Sequence, residues 1–141
     1  MNIKDFKHCL KIQIRYKDVD KQGHVNNANH LSYFENARID YFKQIFKTPI
    51  DWNKNGLIIA HIELDYKQPV FLEDEVNCYT KVTRIGTKSF ELTSLLTKIS
   101  GSAETICAEG KTVIVCLNYG TNKTAEIPTE WIIEMNKYEG I

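Results

Sequence analysis

The run Asp18-Val19-Asp20-Lys21-Gln22-Gly23-His24-Val25-Asn26-Asn27 holds the densest set of potentially reactive groups in the chain. It lies between a strand-like segment and an apolar, helix-like one. Asp20 therefore sits beside a helix N-terminus, which offers free amides and the positive end of a dipole. A carboxylate facing such amides across a small gap is a hydrolytic arrangement. The amides polarise a carbonyl and hold its oxyanion, while the carboxylate attacks directly or deprotonates a water. His24 is a candidate partner for Asp20, and Gln22 a candidate for orienting the water. Asn27 reads as a helix cap whose backbone amide is the candidate oxyanion donor. Each also has a plainer reading: Asp20 as a turn aspartate bonded to its own backbone, and His24 as a surface turn residue. Glu35 and Arg38 have the i, i+3 spacing of an intrahelical ion pair, yet on so apolar a helix Glu35 can also face a pocket.

The elements that must position these groups follow from periodicity. Residues 9–16 alternate, with Leu10, Ile12, Ile14 and Tyr16 on one face, which predicts a half-buried strand. Gly23 is the flexible point of the polar turn. A helix is expected from Ala28 to Phe46, capped by Asn26 or Asn27; a rival capping box at Ser32 and Glu35 starts too late for the apolar pattern. Leu31, Tyr33, Phe34, Ala37, Ile39, Tyr41, Phe42, Ile45 and Phe46 cover most of its circumference, so burial on most sides is expected. A connector with a helical turn near Asp51–Lys54 leads to four strand signals: Leu57–Tyr66, Val76–Ile85, Lys88–Ile99 and Ala103–Leu117. Tight turns at Gly86 and Gly101 imply antiparallel neighbours. A short helix, Thr129–Met135, with Thr129 as its cap, closes the chain. The class is α+β: a long central helix wrapped by a curved antiparallel sheet of about five strands, in one domain spanning residues 1–141.

Composition narrows the function. The 141 residues carry 18 Lys plus Arg and 18 Asp plus Glu, a formal net charge of zero, without the basic stripe of a nucleic-acid binder. No apolar run is long enough for a bilayer, and the N-terminus lacks the h-region of a signal peptide, so no membrane association and a cytoplasmic location are expected. The four cysteines, Cys9, Cys78, Cys107 and Cys116, lie in strand-like runs and read as buried, reduced residues. No serine sits in a G-x-S-x-G elbow. Gly110-Lys111-Thr112 lacks the glycine that a phosphate-binding loop needs five places earlier. No cofactor and no metal site are called for.

The run from Asp18 to Leu31, with Tyr33-Phe34-Glu35-Asn36-Ala37-Arg38 after it, resembles the signature of hot-dog-fold thioesterases, most closely the 4-hydroxybenzoyl-CoA thioesterase-like group. Glu63–Val70, Ile85–Phe90 and Ile127-Pro128 are similar as well. The resemblance implies hydrolysis of an acyl thioester, usually an acyl-CoA, by a homodimer with one continuous sheet, or by a homotetramer of paired dimers. It puts the family's catalytic carboxylate at Asp20 and its oxyanion amide at Asn27. The D-x-N-x-H pattern of the related acyl-carrier-protein thioesterases falls on Asp20, Gln22 and His24, with Gln22 in place of the expected Asn. Under this reading Gln22, Gly23 and Glu35 line the substrate site, and Arg84 and Lys88 are candidate contacts for the CoA nucleotide. A thiol leaves with a pKa near 8.5, so one carboxylate and an oxyanion hole suffice without a strong general acid. The alternatives are an acyl-carrier-protein thioesterase, a hot-dog dehydratase, for which the Asp20–His24 spacing is wrong, and a non-catalytic acyl-ligand binding module.

Overall fold

A computed structural model describes all 141 residues, and its organising element is the helix that follows the polar turn. Helix α1 spans Asn27–Ile45. Asn26 has extended backbone angles, and its side-chain oxygen accepts the Ala28 amide at 2.9 Å. Such a cap is worth about 1 kcal/mol. Asn26 is therefore the cap, and Asn27 is the first helical residue. At the other end Phe46 leaves the helical region, and Pro49 forbids continuation.

The strands are β1 (His8–Ile12), β2 (Gly56–Tyr66), β3 (Glu75–Ile85), β4 (Ser89–Ser100), β5 (Ala103–Asn118) and a two-residue β6 (Lys123–Thr124). All pair antiparallel, in the order β1-β3-β4-β5-β2, with β6 added to β5. Between β1 and β2 the chain crosses the concave face as α1, which carries β2 to the far edge. Register shifts at Ile59/His61, Val82/Arg84 and Leu96/Thr97 mark bulges. Bulges increase local twist, which lets the sheet curl around the helix.

Two clusters form the core, one at each end of α1. Tyr33, Phe34 and Ala37 pack with Val76, Cys78, Leu96 and Ala108; Tyr41, Ile45 and Phe46 pack with Val82, Phe90, Ile114 and Trp131. Phe34 lies so close to β5 that a Cβ on Gly110 would stand 2.8 Å from its ring, so only glycine admits this contact without a shift.

Several expectations need correction. The first strand stops at Ile12 because the chain turns into a 3-10 segment, Tyr16–Asp18, which leaves Tyr16 exposed. Helix α1 is not covered all round: Leu31 and Ile39 remain 42% and 47% exposed, because the sheet reaches only one side. Cys9 is exposed, since β1 turns it away from the helix, whereas the other three cysteines are buried. The last helix, α2, runs Thr129–Glu139, and its cap position is Pro128, with no side-chain cap bond. Gly140, at φ +77°, supplies the left-handed C-cap that ends it. No helix is long and apolar enough to cross a membrane.

Candidate active site

The polar turn is fixed from beneath by Asp18, not by Asp20. Asp18 is 2% exposed. Its Oδ2 accepts the Arg15 amide at 3.0 Å and the Tyr33 hydroxyl at 2.8 Å. Burial, reinforced by that bond, pushes the Tyr33 phenol well above its usual range, so it stays protonated as a donor. The Asp18 carbonyl accepts the Asn26 amide and the Asn29 side chain, each at 2.9 Å. The strand end, the turn and the first turn of α1 are thereby tied together.

Asp20 is half-buried on the outer side of this frame. Its Oδ1 accepts the Gln22 amide at 2.9 Å, and its carbonyl accepts the Gly23 amide at 3.0 Å. The turn closes only because Gly23 adopts φ +86°. Asn26 links this turn to the helix. Its side-chain oxygen caps Ala28, while its Nδ2 donates to Asp20 Oδ2 at 3.3 Å. The Ala28 amide is therefore occupied. The Asn27 amide has no partner within the helix and takes none from the turn. One asparagine side chain thus holds the half-buried carboxylate with one end and the Ala28 amide with the other, next to the free Asn27 N–H. Asp20, Gln22, His24, Asn26 and Asn27 line a common polar depression.

His24 is not hydrogen-bonded to the Asp20 side chain. Its Nδ1 approaches the Val25 carbonyl at 3.4 Å, and its link to Asp20 runs through the backbone, where the Asp20 amide donates to the His24 carbonyl at 3.1 Å. Asp18, turned inward onto Tyr33, does not join Asp20 and His24 in the depression.

Two residues that sequence reasoning passed over stand beside the free amide. His30 is 2% exposed, and neither ring nitrogen has a hydrogen-bond partner. Burial lowers its pKa; the nearby carbonyls of Asn26 and Asn27 oppose this without reaching hydrogen-bond geometry to the ring. Leaving such a group unpartnered costs about 1–3 kcal/mol. The Tyr66 ring meets it edge-on at 5.0 Å, and the Tyr66 hydroxyl donates to the Asn27 carbonyl at 2.8 Å. The available signal was helical spacing, which places His30 on the same buried stripe as Phe34 and Ala37.

Glu35 is exposed and pairs with Arg38 at 3.7 Å. Both stand on the rim of a groove of about 860 Å³ between the uncovered side of α1 and the inner face of β2, with Ile39, Phe42, Trp52 and Ile59 among its apolar walls. Arg84 and Lys88 lie elsewhere. The β3–β4 turn that carries them bonds to the start of α2, where the Ile127 amide donates to the Thr87 carbonyl at 2.9 Å, and the adjoining Phe90 packs on the C-terminal end of α1. A helix of this length spans about 28 Å, so within one chain they do not share a site with Asp20.

A curled antiparallel sheet around one long helix, with a polar turn at the helix N-terminus, is the hot-dog fold. The profile of the thioesterase-like superfamily matches residues 14–134, and the chain belongs to that family. It is 30% identical to the protein YsmA of Bacillus subtilis over 84% of this chain and 78% of that one. It is 24% identical to the long-chain acyl-CoA thioesterase FadM of Escherichia coli over 85% and 90% of the two chains. A crystal structure of a thioesterase from Thermus thermophilus, complexed with coenzyme A and Zn, superposes with a TM-score of 0.85 at 31% identity, covering 99% of this chain and 98% of the other.

Proposed function

We propose that this protein hydrolyses the thioester bond of an acyl-CoA, with Asp20 as the catalytic carboxylate and the Asn27 amide as oxyanion donor. The observation that carries the reading is the Asn26 side chain, which caps Ala28 and holds Asp20 with its two ends, leaving the Asn27 N–H free beside the carboxylate. The thioester carbonyl oxygen points at that N–H. Asp20 takes a proton from the attacking water or itself attacks the carbonyl carbon. As the C=O bond becomes a C–O⁻ single bond, the helix-terminal amide meets the charge that develops. Collapse expels the thiolate, which needs no strong acid because of its low pKa. In the general-base route the free acid is then formed, and the proton on Asp20 returns to the thiolate or to solvent. In the nucleophilic route a water cleaves the Asp20 acyl anhydride to release the acid and restore the carboxylate. His24 and Gln22 border the depression and position the water; Gly23 sets the turn. Coenzyme A in the Thermus structure and the acyl-CoA activity in the name of the Escherichia coli relative support this carrier.

The test is thiol release from short, long and aromatic acyl-CoAs, with one acyl chain also offered on acyl-carrier protein. Turnover of at least one acyl-CoA is expected, at a rate above that of the carrier-protein thioester. Absence of thiol release across the whole panel overturns the reading.

A homodimer completes this site. Strand β2 is an unpaired edge of 11 residues, and Ile58, Ile59 and Ile62 on it are exposed. Such an edge invites pairing, and the apolar side of α1 lies next to it. Arg84 and Lys88 then reach a CoA nucleotide only from the second copy. Ile62→Lys is expected to convert the dimer to monomer, measured by light scattering at micromolar concentration; an unchanged mass argues against this edge as the interface.

A further inference from the structure

We propose that His30 is a second substrate-facing donor, whose imidazole N–H bonds the thioester carbonyl oxygen together with the Asn27 amide. This deepens the thioester-hydrolase reading and rests on it. Position is the first argument. His30 follows Asn27 by three residues in α1, and residues so spaced are neighbours on one helix face. Both line a cavity of about 210 Å³ whose other walls include His24, Tyr66 and Gln68.

The second argument is the missing partner. The buried Tyr33, Tyr41 and His8 side chains each make at least one hydrogen bond: Tyr33 donates to Asp18, Tyr41 donates to Glu139, and His8 bonds Asp40 at 2.8 Å. His30 is the buried histidine with neither nitrogen paired. Buried polar groups are nearly always satisfied, and an exception calls for a partner that the folded chain does not supply. A thioester carbonyl oxygen is an acceptor of the required kind. A neutral imidazole has one N–H to offer it, and burial favours that neutral form. The Tyr66 ring packs at right angles to this imidazole, with its hydroxyl bonded to the Asn27 carbonyl. A carbonyl oxygen arriving at the Asn27 N–H therefore comes within reach of His30 when that ring shifts.

Steady-state kinetics of His30→Phe and His30→Gln in the full chain, with Asp20→Asn alongside, test the assignment. His30→Phe keeps the ring and removes both nitrogens. It is expected to lower kcat about 10²-fold, the usual loss for one oxyanion donor, with KM within about threefold of wild type and Tm at or above it. His30→Gln restores a side-chain N–H and is expected to recover most of that loss. If the phenylalanine ring is not accommodated, His30→Leu carries the same test. Wild-type kcat in a folded His30→Phe protein overturns the proposal. Equal losses in both variants that track a fall in Tm also overturn it, by making His30 a packing residue. An inactive Asp20→Asn beside a fully active His30→Phe removes this inference and leaves the function standing. Failure of the wild type to release thiol from any acyl-CoA removes both.

Discussion

Asp20→Asn is expected to lower kcat for acyl-CoA hydrolysis by about 10³-fold, within the range for loss of a general base or nucleophile, and to leave the fold intact. The substitution keeps an oxygen for the Gln22 amide, so the turn retains its internal bond. It presents no basic oxygen to a water and no nucleophile to a carbonyl. The barrier rises by about 4 kcal/mol, while Tm stays within about 2 °C of wild type, because Asp20 supports no buried group. Thiol release under saturating acyl-CoA, read with a thermal melt, checks both halves. Near-normal turnover in a folded Asp20→Asn protein rejects the carboxylate assignment and moves the chemistry to another group in the depression.

The opposite pattern is expected two residues earlier. Asp18→Ala strips the acceptor from the Arg15 amide and from the buried Tyr33 hydroxyl. An unsatisfied buried donor costs about 1–3 kcal/mol, and the space left behind adds to it, so a loss of about 3 kcal/mol is expected. Urea unfolding reads this as a lower midpoint at unchanged slope. Activity falls as well, since the Asp18 region anchors the turn and the first helical residues that carry the site. Tyr33→Phe separates the two contributions: it removes the hydroxyl together with its need for a partner, and is expected to cost less than Asp18→Ala. Equal stability of Asp18→Ala and wild type excludes Asp18 as the brace. The two aspartates belong to one motif and look alike in the chain, yet one is predicted to govern rate and the other stability.

That contrast shows where sequence reasoning reached and where it stopped. The residue types and spacing single out Asp20 as a candidate carboxylate and are silent on Asp18, which the fold buries against Tyr33. They have no means of naming Tyr33 as the partner, which lies on another element. The cap was legible to within one residue, because capping depends on neighbours in the chain. The Asn27 amide could be named from the sequence, but not why it stays free: the cap is Asn26, whose side chain takes the Ala28 amide and the Asp20 carboxylate. Arg84 and Lys88 were named for their charge beside a turn. Their distance from Asp20 followed only once the sheet placed that turn at the other end of α1.

The local content of this protein follows from the order of its residues. Period-two runs defined the long strands, the apolar stripe and the asparagine pair defined α1, and glycine punctuation defined the turns. These are short-range properties of propensity, capping and backbone sterics. The tertiary structure decided what depends on contacts far apart in the chain. It sent β2 to an open edge beside the uncovered side of α1, which leaves Leu31 and Ile39 exposed. It also buried His30 against Tyr66 with both nitrogens unpartnered. Helical spacing puts His30 on the buried stripe, but neither its lack of a partner nor the open β2 edge is written there, because pairing order and side-chain contacts are fixed only when the sheet closes around the helix.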